Sequence, residues 1–557
     1  MRYARQHLPM TPSGMLFGSV VVPLELGARV RPRERYGRRY GRTVSPGRPG
    51  ELSMKPWIRC LVLSVVVASA LPAASAAADP AGDAPAGLER FYHQDITWGP
   101  CHDDTLDAAG ADCGTVTVPL DYSKPDGRTL TLALSRIAAA DPAKRRGVLL
   151  TNPGGPGGRG LTMNAAIASR LSQDVRDKYD LIGMDPRGIG RSDSVHCAIP
   201  LPTMWFSSGF DTLGFARDGA VAGAWATSCV APDPEKVRNI TTRNTARDLD
   251  VLRGVFGEDK LDYYGVSYGT YLGAVYTQMF GDKAGRILLD SALDPNRYWL
   301  GMVQDWGPIN EYALDDWAAW AARHDDQYHF GTTAPAVRAW VENLIRRAAA
   351  HPVASLSPIN LIDEHTVPVM MFSQLANPQA NGDLADILAV VDRAVDGQPV
   401  DMNELLKSTA GSARIEPGAE AAVMCGDRAA PRDPSWYLAQ VDAARATQPV
   451  FGAFANDITA CAFWPDPLEP TTEVHNDVPA LILASDHDPR TAYWEGVAAH
   501  QELRGSVLVT LENTRIHGAF RPGLSPCVND AANTYLSTGV LPSGDLTCQP
   551  EASFFPQ

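Results

Sequence analysis

Several things are missing from this sequence, and each absence excludes a class of function. Among 557 residues no two cysteines stand as a C-x-x-C pair, no Gly-Lys-Ser/Thr follows a glycine loop, and no internal repeat is evident. The first removes the usual structural-metal signature and the second the nucleotide phosphate loop. Positive charge is in deficit: 49 Lys and Arg face 64 Asp and Glu, a net of −15, which makes a poor nucleic-acid binder. What remains is a globular composition, 45% hydrophobic and 20% charged, long enough for a large core with an inserted or second domain.

Long apolar runs are also scarce. The stretch "CLVLSVVVASAL", from Cys60 to Leu71, falls short of the roughly 20 residues that span a bilayer. Basic Met54-Lys55-Pro56-Trp57-Ile58-Arg59 precedes it, and small residues follow that suit cleavage after Ala76 or Ala78, so residues 54–78 read as a signal peptide and the chain as secreted, with no stable membrane insertion after cleavage. Cys60 sits at the front of the apolar run, not at its end, which argues against a lipoprotein. Residues 1–53 form an Arg/Pro/Gly-rich, non-globular extension, read either as a start-site artefact with Met54 the true start, the favoured reading, or as a disordered arm. Residues 1–78 hold twelve Lys and Arg against three Asp and Glu, so the remainder carries −24.

Once Cys60 leaves with the signal, eight cysteines remain: Cys101, Cys113, Cys197, Cys229, Cys425, Cys461, Cys527 and Cys548. An even count in an exported chain points to disulfides. Pairing sequence neighbours gives 101 with 113, 197 with 229, 425 with 461 and 527 with 548, one of 105 connectivities.

"GTVTVPLDY" and "RTLTLALSRIAA" alternate like strands about the Lys124-Pro125-Asp126-Gly127 turn and predict a hairpin. "GVLLTNPGG" and "YDLIGMDPRG" are short continuous apolar runs that break into glycine loops, as strands of a doubly covered parallel sheet do. "NTARDLDVLRGVFG" predicts a helix with Leu249, Leu252 and Phe256 on one side. From about Asp294 to Val478 helical stripes replace strands, as at Val337, Trp340, Val341, Leu344 and Ile345, and at Leu384, Ile387, Leu388 and Val391. The expected organisation is an α/β core over 79–293 and 479–557 with a helical cap inserted over 294–478.

A serine hydroxyl is a weak nucleophile and needs a base, a carboxylate to orient that base, and donors for the oxyanion. "LDYYGVSYGT" places Ser267 in G-x-S-x-G between an apolar strand and the helical pattern "YLGAVYTQMFG", the order of a nucleophile elbow. "TNPGGPGGRG", directly after a strand, can turn amides toward an anion, which nominates Gly155 and Tyr268 for the oxyanion hole. Strand-end acids at Asp486 and Asp488 come next, then His517 about thirty residues on. Adjacent residues of an extended chain face opposite ways, so Asp486-His487-Asp488 makes a poor metal site, and no metal or cofactor is expected. His93, His102, His196 and His365 read as structural or exposed.

"NPGGPGG", "DPRGIGRSD", "GVSYGTYLGAVY", "LDSALDP", "SDHDPRTAY" and the tail from His517 to Cys548 resemble the secreted tripeptidyl aminopeptidase group of α/β-hydrolases, related to prolyl iminopeptidases. The resemblance spans nearly all of the chain after residue 78. It implies an α/β-hydrolase fold, a mostly parallel sheet with the helical cap, and the roles of nucleophile on Ser267, acid on Asp488, base on His517 and oxyanion loop on Gly154 and Gly155. It also fits the cysteine positions, Cys527 with Cys548 included. Ser291-Ala292 stands where the group usually has Gly-Val, Ala492 where proline is usual and Ile516 where glycine is common; these departures are expected to bear on substrate preference and to touch no triad atom.

The expected activity is that of a serine exopeptidase removing short peptides, tripeptides above all, from the free N-termini of peptides or proteins. A carboxylesterase using the same triad is the alternative, and a non-catalytic binding protein on a hydrolase fold the third reading. An aminopeptidase also needs a carboxylate for the substrate's α-ammonium, and the cap is where it is expected.

Overall fold

A computed structural model describes residues 85–354, 361–400 and 415–555; the extension 1–53 and the signal segment 54–78 fall outside the described residues. The predicted hairpin forms after a two-residue strand β1 (Gly99–Pro100): β2 (Asp112–Pro119) pairs antiparallel with β3 (Thr129–Ile137). The apolar runs become β4 (Gly147–Asn152), β5 (Tyr179–Met184), β6 (Leu261–Val266) and β7 (Ala284–Asp290). A small antiparallel pair, β8 (Val353–Ala354) with β9 (Leu361–Ile362), stands apart from the sheet. The sheet resumes with β10 (Ala480–Ser485), β11 (Ser506–Leu511) and β12 (Leu546–Cys548).

Ten strands are ordered β1-β2-β3-β5-β4-β6-β7-β10-β11-β12. β3 meets β5 antiparallel, and every pairing from β5 to β12 is parallel. Every residue of β4, β5 and β10 is buried, which is why those runs are apolar without alternation. Leu149, Leu181, Leu288 and Leu483 pack on one face with Val528 and Leu536 of the Pro526–Thr538 helix. On the other face Val148, Leu150, Ile182 and Leu289 meet Leu249 and Leu252 of the Thr242–Val255 helix and Leu272 and Val275 of the Tyr268–Met279 helix.

Between β7 and β10 the described chain is mainly helical. The two predicted stripes lie on Ala334–Ala350 and Asn381–Val395, and Leu300–Ala322 carries Trp306, Trp317 and Trp320 inward. Among the described residues the main apolar cluster runs from the sheet into this insertion through Trp306, Trp317 and Leu344, and a small separate one holds Tyr437, Ile458 and Ala462 with Phe215. A helix the sequence reading missed, Thr212–Val230, packs on the Ala460–Phe463 turn of the insertion. Its alanine and glycine content leaves little contrast between its faces, although Phe215, Trp225, Ala226 and Cys229 are buried.

All four neighbour pairs of cysteines are bonded: 101–113, 197–229, 425–461 and 527–548. Among the described residues no helix is long and apolar enough to cross a membrane.

Candidate active site

Ser267 sits where β6 turns into the Tyr268–Met279 helix, at φ 58° and ψ −128°, a strained conformation costing about 1–3 kcal/mol. The flanking glycines are steric necessities. A Cβ on Gly265 would meet Gly269 O at 2.3 Å, and one on Gly269 would meet Asn152 O at 2.9 Å. Ser267 N donates to Asp290 O at 3.0 Å, while Thr270 closes the first helical turn onto Ser267 O.

The glycine loop after β4 comes against this turn. Gly154, at φ +88°, lies so close that a Cβ there would meet Val266 O at 2.4 Å and Ser267 Cβ at 2.9 Å. Its amide is already committed to Asn152 Oδ1 at 2.9 Å. The Gly155 and Tyr268 amides make no hydrogen bond among the described residues, so both can receive an anion. The Tyr268 ring is fixed by its hydroxyl, 2.6 Å from Thr242 Oγ1, and Thr242 in turn donates through both N and Oγ1 to Asp427.

Asp488 follows β10 and His517 follows β11, and the structure brings them together. His517 Nδ1 lies 2.9 Å from Asp488 Oδ2 and 3.0 Å from Oδ1. Asp488 also accepts from the Arg490 amide and from Thr491 N and Oγ1. Burial alone would push its carboxyl up; the His517 charge and hydrogen bonds from His517, Ser291 and Arg490 more than offset this and hold it below the usual aspartate value.

Ser291 corrects an expectation. It was expected to touch no triad atom; its hydroxyl accepts from the Gly518 amide, next to His517, at 2.8 Å and lies near enough to Asp488 to help keep that carboxyl ionised. Three segments far apart in sequence meet there: the end of β7, the turn after β10 and the histidine loop. Its neighbour Asp290 joins the same parts, taking Ser267 N on its carbonyl, the amides of Ala519 and Phe520 on its carboxylate, and the Tyr264 hydroxyl. Gly518, beside His517, thereby approaches Val266, beside Ser267: a Cβ on it would meet Val266 Cγ1 at 3.9 Å.

The histidine loop is stitched down by the chain's last residues. Glu512 N donates to Cys548 O, Gln549 Nε2 to Glu512 Oε2, Ser525 Oγ to Gln549 O, and Glu551 N to Leu524 O. Arg521 donates to the carbonyls of His517 and Gly518.

Asp486 accepts the Asn513 and Thr514 amides at 2.8 and 3.2 Å and closes the turn toward His517. Ligand-type atoms of Asp363, Glu364 and His365 do lie within 4.8 Å of one another. They belong to an ion-pair network: His365 Nδ1 lies 2.6 Å from Asp218, and Arg217 lies 3.6 Å from Asp363. Burial would lower the His365 pKa, but Asp218 and Glu364 raise it to about 10, so this buried histidine is a structural cation.

The Pro417–Asp427 helix carries two acids that sequence reasoning did not single out. Asp427 is pushed up to about 7 by burial, against hydrogen bonds from Thr242, and Glu420 to about 8 by burial, against one from Trp205. Every residue from Gly418 to Asp427 is buried, and a helix buried on all sides that still carries acids is unusual.

Residues 147–377 match the alpha/beta hydrolase fold family and residues 448–548 the TAP-like protein family. The chain is 35% identical over 481 residues to a tripeptidyl aminopeptidase of Streptomyces coelicolor, covering 82% of this chain and 86% of that one. It is 29% identical over 490 residues to the serine protease Hip1 of Mycobacterium tuberculosis, covering 82% and 91%. It is 30% identical over 528 residues to a carboxylesterase B of the same species, covering 88% and 96%. With such identity over such a span, the chain belongs to the tripeptidyl aminopeptidase family of α/β-hydrolase serine peptidases.

Proposed function

We propose that this protein is a secreted serine exopeptidase that releases short peptides, tripeptides first of all, from free N-termini by way of an acyl-enzyme. The observation that carries the reading is the Asp488–His517 pair, borne on consecutive strand ends and joined through Asp290 and Ser291 to a strained serine flanked by two open amides.

In this reading Ser267 Oγ attacks the scissile carbonyl while His517 takes its proton, and Asp488 holds the imidazole in the tautomer that can accept it. The amides of Gly155 and Tyr268 receive the oxyanion, each such donor contributing about 3–4 kcal/mol to the transition state. His517 then protonates the leaving amine, the C–N bond breaks, and water releases the acyl group by the same path in reverse. The helices of 294–478 act as a cap that limits access to the free end of a peptide. Four disulfides and an absence of membrane-crossing helices among the described residues are compatible with export through the 54–78 signal.

The test compares cleavage of a tripeptidyl p-nitroanilide with that of its N-acetylated form, with Ser267→Ala as the blank. A strong preference for the free amine is expected; equal cleavage of both removes the exopeptidase reading. Similarity to a protein named carboxylesterase B supports a second reading, an esterase with the same triad, and hydrolysis of acyl esters without anilide cleavage would favour it.

A further inference from the structure

The loops that carry Asp488 and His517 also carry Arg490, Arg515 and Arg521, and the last two are fully engaged. Arg515 reaches Asp316, the Leu375 carbonyl and Asn381, while Arg521 donates to the carbonyls of His517 and Gly518. Arg490 differs from both. Its Nη1 donates to Pro489 O at 3.1 Å and to Asn310 Oδ1 at 3.3 Å, but its Nε and Nη2 make no hydrogen bond among the described residues. No carboxylate among them pairs with it, although a guanidinium drawn part-way out of water without an anion is costly. Burial, opposed by the Asp488 charge and aided by that of Arg515, brings its pKa down to about 9.

Its place is set by the turn that sets the triad acid. Arg490 N donates to Asp488 Oδ1 at 2.8 Å, and the side chain folds back so that its head lies over the carbonyl of Pro489, one residue from Asp488. There the guanidinium carbon sits 3.4 Å from the centre of the Phe372 ring. Phe372 belongs to the Val367–Gln374 helix, and two residues past the end of that helix Ala376 O accepts the His517 amide at 2.9 Å. Trp306 backs the pair, 4.8 Å from Phe372 and donating through Nε1 to Arg490 O at 2.8 Å. Arg490 and Phe372 are half-buried and the His517 side chain is 18% exposed, so this wall reaches solvent beside the catalytic base. Nε and Nη2 share one edge of the guanidinium, the edge that binds both oxygens of a carboxylate, and the ring beneath holds its plane.

We propose that Arg490 receives a carboxylate of the substrate, Nε and Nη2 each meeting one oxygen, so that peptides with an acidic group near the cut are preferred. The inference rests on the exopeptidase reading and adds the class of peptide that the site selects. Two sources offer such a group, an acidic side chain in the released peptide and the carboxyl end of a short leaving peptide, and the same contact serves either.

The test uses free-amine substrates in matched sets, on the wild type and on Arg490→Met, which keeps a stem against Phe372 and loses the charge. One series compares Ala-Ala-Ala p-nitroanilide with the three peptides in which aspartate replaces one alanine; the other compares tetra-alanine with its C-terminal amide. In one of the two series the wild type should favour a charged member about 10- to 100-fold in kcat/KM, chiefly through KM, and the series that shows it names the source. Arg490→Met should bring that ratio to within about twofold of one. Equal rates for charged and neutral members in both series overturn the assignment. A variant that slows both members alike and keeps the ratio overturns it too, because that is what a purely structural arginine would give. The exopeptidase reading is judged apart, by the neutral anilide against its N-acetylated form: it stands if the free amine is preferred, whatever the charged members do, and without that preference both fall. Should Arg490→Met not fold, Arg490→Lys, which keeps the charge but lacks the fork, should lose the preference several-fold; a full wild-type preference there overturns the assignment.

Discussion

Asp488 and Glu420 are two carboxylates buried to the same degree, and their chemistry is opposite. Four groups hydrogen-bond Asp488, namely the His517 ring, the amides of Arg490 and Thr491, and the Thr491 hydroxyl, and the Ser291 hydroxyl adds to their effect. Its proton is held below the usual aspartate range. Glu420 has one donor, and its proton is held up to about pH 8. Depth of burial therefore does not decide the charge state; the partners do. A carboxylate with its full set of partners keeps its charge, whereas one left short of partners keeps its proton.

The largest effect comes from breaking the Asp488 side. Asp488→Asn keeps the packing but presents the wrong partner to Nδ1, so kcat should fall about 10⁴-fold with KM little changed, as measured by steady-state kinetics. On the Glu420 side the bond between Cys425 and Cys461 ties down the helix that carries the acid. Replacing both cysteines with serine should cost about 3 kcal/mol of stability by chemical denaturation.

The pH dependence of stability sharpens the comparison further. Folded Glu420 keeps its proton to about pH 8, but the unfolded chain releases it near the ordinary value of 4.5. The folded state binds the extra proton between those values, so this contribution is complete below the lower and lost as pH rises through the upper. Asp488 works the other way: its contribution is present above the ordinary aspartate value and is lost as pH falls through its lower folded value. Glu420→Gln should accordingly gain Tm relative to wild type between pH 5 and 8.5, and keep the wild-type loss below pH 4. Asp427, held up to about 7, leaves part of the alkaline slope in that variant.

The smallest effect is at Ser291. Ser291→Ala removes a hydroxyl that helps keep Asp488 ionised and moves it a step toward the state of Glu420, so kcat should drop a few-fold, about 1 kcal/mol in the barrier, and the acid limb of the pH–rate profile should move up. An unchanged profile would mean that the hydroxyl serves the Gly518 amide and not the carboxylate.

What the sequence made legible was whatever depends on near neighbours. The elbow at Ser267, the hairpin at Lys124–Gly127 and the stripe at Val337–Ile345 follow from turn chemistry and period. Asp488 and His517 could be nominated because each ends a strand in the order that hydrolases use. Ser291 escaped because its partners lie 197 and 227 positions away, and only the parallel register of β7 beside β10 brings them together. Glu420 escaped because a glutamate among alanines reads as a solvated face until the loop it packs on is known. The Thr212–Val230 helix escaped for want of contrast between its faces.

The stitching of the histidine loop by residues 548–551 has a practical side. Those few residues share the holding of the histidine loop with Asp290 and Ser291 at the end of β7, so residues 548–551 fasten the active site from its outer side. Trimming the tail by a carboxypeptidase would silence the enzyme while leaving every reacting group in the chain. A strained fusion placed close after residue 551 would do the same.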